Sequence, residues 1–161
     1  MNLHLAGFIA RPVKMFQSIT TIALTAGSVL LLGYWFRYTC LLILSAKTTR
    51  DFAGEVAEAN QLSFLEVQAR LRAEGPADLD KLHTALDRDY GRLTELLKQG
   101  NQEFPMEDRM LQVNYRLTRL WYQAARPFSS SAARHALDEM SMMVSHFANS
   151  MGERASSGAA A

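Results

Sequence analysis

From Ile19 to Phe36 the chain reads "ITTIALTAGSVLLLGYWF", 18 residues without a charge. A helix needs roughly 20 apolar residues to cross the ~30 Å hydrocarbon core of a bilayer. Phe16, or the residues beyond Arg37, supplies the remainder. A secretory signal has an apolar region of only ~7–15 residues and ends in a small-residue cleavage site. Here the run is longer, and Leu44 in "ILSAKT" stands where a small residue is wanted. A mitochondrial presequence would share the basic, acid-free start "MNLHLAGFIARPVKMFQS" but not the long uncharged run that follows. The expectation is an uncleaved anchor over residues 18–46 behind a short basic segment, 1–17.

Arg37 decides where that anchor ends. Tyr34, Trp35, Phe36 and Tyr38 surround it, as aromatic side chains gather at a membrane–water interface. Tyr34, Trp35, Arg37 and Tyr38 are therefore the candidate membrane-interface residues. Three placements compete. The span ends near Phe36, with Arg37 at headgroup level and "YTCLLILSA" continuing as helix along the interface. Alternatively it runs from about Ile22 to Ser45 and Arg37 snorkels to the nearer surface, an Arg at a helix centre costing about 2.5–3.5 kcal/mol. In the third placement, Arg37 is buried against a partner subunit. Cys40, the single cysteine, lies inside the apolar stretch and is expected at membrane depth, and no intramolecular disulfide is available to it.

Charge divides the chain at the same place. Residues 1–50 hold Arg11, Lys14, Arg37, Lys47 and Arg50 and no acid; residues 51–161 hold 12 Lys and Arg against 16 acids, a net of −4. An acid-free apolar head before a mildly acidic body describes two environments in one chain. The basic flanks of the span nearly cancel under the positive-inside bias. The short-span count tips the body toward the cytoplasm.

The body, residues 47–152, reads as an antiparallel bundle of about four helices, so the fold class is all-α with one N-terminal transmembrane helix. The first segment, "TTRDFAGEVAEANQLSFLEVQARLRAE", continues from the anchor and stops at Gly75-Pro76. The second, Ala77 to Lys98, carries Leu79, Leu82, Leu86, Tyr90, Leu93 and Leu97, and Gly100-Asn101 ends it. The third, from Pro105 to before Pro127, carries Met106, Met110, Val113, Leu117, Leu120 and Ala124. The fourth begins at Ser129, Ser130 or Ser131 as N-cap and carries Ala133, Ala136, Met140, Met143, Phe147 and Met151. These 3–4 spacings approach the heptad period of helices packed at about 20°. Each stripe is expected to be core, and "GERASSGAAA" to fray, with a disordered tail over 153–161. The Met-rich fourth stripe also suits a subunit interface, because Met adapts to varied surfaces.

A second stripe runs beside the apolar one on the third helix: Arg109, Gln112, Arg116, Arg119, Gln123 and Arg126. Guanidinium groups clamp carboxylates and phosphates bidentately. Asp87, Asp89 and Glu95 on the second helix offer internal partners; a partner protein's acidic face or lipid headgroups offer external ones. Nucleic acid is set aside, since the body is net acidic and lacks a nucleic-acid motif. Of Trp121 and Tyr122, one belongs to the core and the other suits a partner. Arg109, Arg116, Arg119, Arg126 and Trp121 are the candidate interaction residues.

His135, Glu139, Met142 and His146 share a stripe on the fourth helix, with His83 and Asp87 on the second. They read as solvated or interface side chains; no HExxH or CxxCH accompanies them. No glycine-rich phosphate loop, nucleophile elbow or Cys–His dyad is present. The sequence therefore points to no catalytic residue, cofactor, metal or small-molecule substrate. It describes a single-pass membrane protein, not an enzyme, acting by protein–protein interaction or self-association as a scaffold or accessory subunit of a membrane complex. The competing class is a membrane-anchored sensor whose bundle binds a small ligand or metal.

Overall fold

A computed structural model of the chain describes residues 4–46, 51–73, 78–99 and 105–159. The described elements are α1 (His4–Ser45), α2 (Ala53–Ala59), α3 (Phe64–Arg72), α4 (Leu79–Gln99), α5 (Met106–Ala125) and α6 (Ser130–Ala159), with no strand among the described residues. A long apolar helix followed by a packed helical bundle is the all-α architecture that the sequence implies. The helix stops at Gly75-Pro76 and Gly100-Asn101, and the basic flank Lys47 and Arg50, lie outside the described residues.

The chain forms two units, Met1–Thr39 and Cys40–Ala161. The first unit is the greater part of α1. Its stretch from Gln17 onward is long and apolar enough to cross a membrane, and its apolar side chains, Ile22, Leu24, Leu30 and Leu32 among them, are exposed. Helix hydroxyls here turn inward: Thr21, Thr25, Ser28 and Thr39 each donate to the carbonyl four residues earlier, at 2.8–2.9 Å. That pattern leaves these groups bonded without water.

The second unit is the body. Helix α6 is its axis, and α2, α3, α4 and α5 all pack on it. Buried Ala133, Ala136, Leu137, Met140, Met143, Val144, Phe147 and Ala148 give α6 one wide apolar face, the stripe an amphipathic helix turns to a core. Helix α4 contributes Leu82, Leu86, Leu93 and Leu97 from the expected stripe. Helices α4 and α5 run antiparallel, since Asp80 meets Tyr122 and Asp87 meets Tyr115. Helices α5 and α6 also run antiparallel, with Asn114 on Glu139 and Asp108 on Arg154.

Three expectations for the body change. First, the opening segment is not one helix. It breaks at Asn60-Gln61, where Gln61 takes φ 52° and the Leu62 N–H donates to the Ala57 carbonyl at 2.9 Å. The break is held from α4: buried Asp89 accepts the Ser63 N–H at 2.6 Å, satisfying a donor at the start of α3. Second, α6 continues to Ala159 rather than ending at 152. Arg154 reaches buried Asp108 on α5 at 2.5 Å, and Gly152 lies so close to Phe52 that a Cβ there would collide with it. Cys40 is buried in the body, its thiol 4.0 Å from the Met110 carbonyl. Third, α5 buries a different face from the one its apolar residues mark. Of the three candidate N-caps for α6, Ser129 fills the role, its hydroxyl accepting the Ala132 N–H at 3.2 Å.

Candidate functional site

Helix α5 has two faces capable of packing. The buried one is Asp108, Leu111, Asn114, Tyr115, Thr118, Tyr122 and Ala125. The outer one is the stripe expected to be core. Met106 is 77% exposed, Leu117 51%, Leu120 60% and Trp121 61%, with Val113 also exposed and Phe128 beyond the helix end at 89%. One face is thus polar-tipped and inside; the other is apolar and outside.

The tyrosines explain the choice. Tyr115 stacks on Tyr90 of α4 with ring centroids 3.8 Å apart, and its hydroxyl donates to Asp87 at 3.1 Å. Tyr122 stacks on His83 at 4.5 Å and donates to Asp80 at 3.1 Å. A buried aromatic removes about 150–250 Å² from water while its polar tip finds a partner. The Leu and Met side chains of the outer stripe have no such second bond to make. Burial, reinforced by the neighbouring carboxylates, raises the Tyr115 hydroxyl pKa well above the usual phenol range and pushes Tyr122 up to about 12. Burial pulls the His83 imidazole below its ordinary value, and its Nε2 stands 3.7 Å from Asp87, beyond a direct hydrogen bond.

The arginine stripe splits on this geometry. Arg119 pairs with Asp87 at 3.1 Å, and Arg126 pairs with Asp80. These two are internal clamps between α4 and α5. Asp89, an expected partner, instead caps α3. Arg116 bonds the Tyr90 hydroxyl and otherwise faces solvent. Arg109 is exposed, with no ion pair among the described residues. Arg109 and Arg116 therefore border the outer apolar stripe, with Trp121 exposed beside it and Tyr122 in the core.

The residues of the α6 stripe are not brought to one site. His135 is exposed, Glu139 is buried with Asn114 donating to it at 3.1 Å, and His146 lies 3.5 Å from Asp108. Among the described residues no group of three or more His, Cys, Asp or Glu is placed to hold a metal ion. Met140 and Met143 are fully buried in the core, so the Met-rich face is not a free surface; Met151 at its end is half-buried, and Met142 on the neighbouring stripe is exposed. A cleft of about 450 Å³ opens within the second unit, lined by Leu44, Asp51, Gln68, Arg72, His146 and Asn149 among others.

In the first unit, Tyr34, Trp35 and Tyr38 form one aromatic cluster. Tyr34 and Tyr38 stack at 6.4 Å, and Trp35 meets Tyr38 edge-on at 6.0 Å. Arg37 is exposed within the same turn, three residues before the body begins at Cys40.

Comparison with family models, with curated proteins and with solved structures finds no match for this chain. The outer face of α5 was legible only as a stripe, because Leu111, Tyr115, Thr118, Tyr122 and Ala125 repeat at the same 4–3–4–3 spacing and two seams of equal period compete for one core.

Proposed function

We propose that this chain is a single-pass, membrane-anchored helical protein that acts by protein–protein interaction, as a scaffold or accessory subunit of a membrane complex. The observation that carries the proposal is the outer face of α5. Contiguous exposed apolar stripes on a folded domain mark interaction surfaces, and this one runs the length of a 20-residue helix.

The anchor reading draws on α1. Even without its Cys40–Ser45 end, the stretch from Gln17 exceeds the roughly 20 residues a span requires, and its hydroxyls bond within the helix. The burial of Cys40 in the body favours a span ending near Phe36, with Arg37 and the aromatic cluster at headgroup level. The body then faces the cytoplasm.

Carbonate washing of membranes, with protease added from either side against a C-terminal tag, tests the anchor. The full-length chain remains in the pellet; a shorter soluble chain would contradict the reading. Leu117→Glu with Leu120→Glu tests the surface. Proteins that co-purify with the wild type are lost, while helicity and membrane retention are unchanged. An unaltered set would overturn the proposal.

A second reading rests on the cleft beside Asp51, Arg72 and His146. Polar groups of both signs suit a small polar ligand, and Leu44 and Ser45 on its wall belong to α1, the route by which a sensor would signal. Ligand-dependent protection of α1 residues 40–45 from amide exchange would favour that class.

A further inference from the structure

The outer stripe of α5 has a specific border. Met106, Met110, Val113, Leu117, Leu120 and Ala124 repeat at 4–3–4–3–4, the a/d pattern of a helix-pairing seam. At about 100° per residue, Arg109, Arg116 and Gln123 lie along one side of the seam, seven residues apart. Glu107 and Trp121 lie along the other. Arg119 and Arg126, one step further round, are already committed to Asp87 and Asp80. Arg109 and Arg116, the latter also bonded to the Tyr90 hydroxyl, thus border the exposed apolar seam on one side, with exposed Glu107 on the other.

From this charge pattern we propose that the outer face of α5 docks an amphipathic helix of another protein, one with apolar a/d positions and carboxylates along the edge that meets Arg109 and Arg116. The inference rests on the reading of that face as a protein interface and names the chemistry of its partner.

Two other occupants fit less well. A second copy of the chain, laid antiparallel on the same seam, pairs Met106 with Ala124 and Val113 with Leu117, and that register sets Arg116 beside Arg116 of the second copy. Laid parallel, it sets Arg109 and Arg116 beside Asn114 and Trp121 of the second copy. Neither arrangement supplies a carboxylate. A bilayer surface also accepts an apolar helix face with 3–4 spacing, so the borders decide. It favours cations on both borders of an apolar stripe, whereas Glu107 sits on one. A helix with an acidic edge satisfies the spacing and the charge together.

The test uses the full chain in phosphatidylcholine nanodiscs and two fluorescein-labelled peptides of three heptads, both with Leu at a and d. One peptide carries Glu at e and g, the other Lys. Anisotropy titration is expected to show the Glu peptide binding about tenfold more tightly, in line with two charge pairs flanking a desolvated seam. Arg109→Glu with Arg116→Glu inverts the order of the two peptides, and Arg109→Glu alone narrows it. Leu117→Glu removes binding of both. Equal affinities that are both lost on Leu117→Glu would overturn the acidic partner and leave the interface standing. If neither peptide binds, both the acidic partner and the interface are overturned. A dimer in sedimentation that Leu117→Glu dissolves would assign the face to a second copy and likewise overturn the acidic partner.

Discussion

The Tyr115 hydroxyl donates to the Asp87 carboxylate at 3.1 Å, and this relationship across α4 and α5 fixes which side of α5 is core. Leu117, two residues along, faces outward. The stabilities of two truncations should therefore reverse the order hydrophobicity would give. Tyr115→Ala empties a fully packed site and is expected to cost about 3–5 kcal/mol. Leu117→Ala at an exposed position is expected to stay within about 0.5 kcal/mol. Urea unfolding of both variants followed by circular dichroism reads the difference. Comparable losses would mean that the Leu face is buried.

Asp89 holds the break between α2 and α3. Asp89→Ala removes the acceptor of the Ser63 N–H and of the Ser63 hydroxyl. It should destabilise the body by about 1–3 kcal/mol, the cost of leaving part-buried donors unpaired. Amide exchange at Ser63 and Phe64 should quicken ahead of exchange in α6. Unchanged protection there would show that α3 starts without this cap.

Gly152 and Phe52 pack where no side chain fits between them. Gly152→Val forces α2 away from α6, with an expected cost of about 1–3 kcal/mol from overpacking. Loss of protection should be concentrated at the start of α2. A neutral outcome would mean that the two helices separate freely.

His83 gives the body a dependence on acid. Burial lowers its folded-state pKa, with Asp87 and Asp80 opposing the shift and Arg119 and Arg126 adding to it. As pH falls, the unfolded chain takes up the proton first, near the ordinary value of about 6.5. Stability present above that pH is therefore lost as pH drops toward the folded-state pKa. Thermal unfolding between pH 8 and pH 5 should show this loss, and His83→Phe, which keeps the stack on Tyr122, should reduce it. An unchanged acid slope would place the dependence elsewhere.

The all-helical body, the α4 and α6 core stripes and the long apolar head follow from spacing and composition, because Leu82, Leu86, Met140 and Phe147 have no alternative to burial on their helices. Helix α5 did not follow. Its inner seam is built from Tyr115, Thr118 and Tyr122, whose polar tips lower their apparent hydrophobicity until carboxylates on α4 are placed opposite them. The pairing of Arg119 was legible as a possibility, since Asp87 was an evident partner; Asp80, which takes Arg126, was not among the expected partners. The separation of Arg109 and Arg116 from them required the register of α4 against α5. Gly152 read as the start of a tail because the approach of Phe52, a hundred residues earlier in the chain, leaves no local signal.

The most direct measurement replaces Leu117 with p-benzoylphenylalanine in the full chain, irradiates intact membranes and blots for adducts, with Leu111→p-benzoylphenylalanine as the buried control. A membrane-anchored protein working through the outer face of α5 gives a discrete protein adduct from position 117 that stays in the carbonate-washed pellet, and none from position 111. An adduct from neither position, or only labelled lipid at 117, would contradict the account.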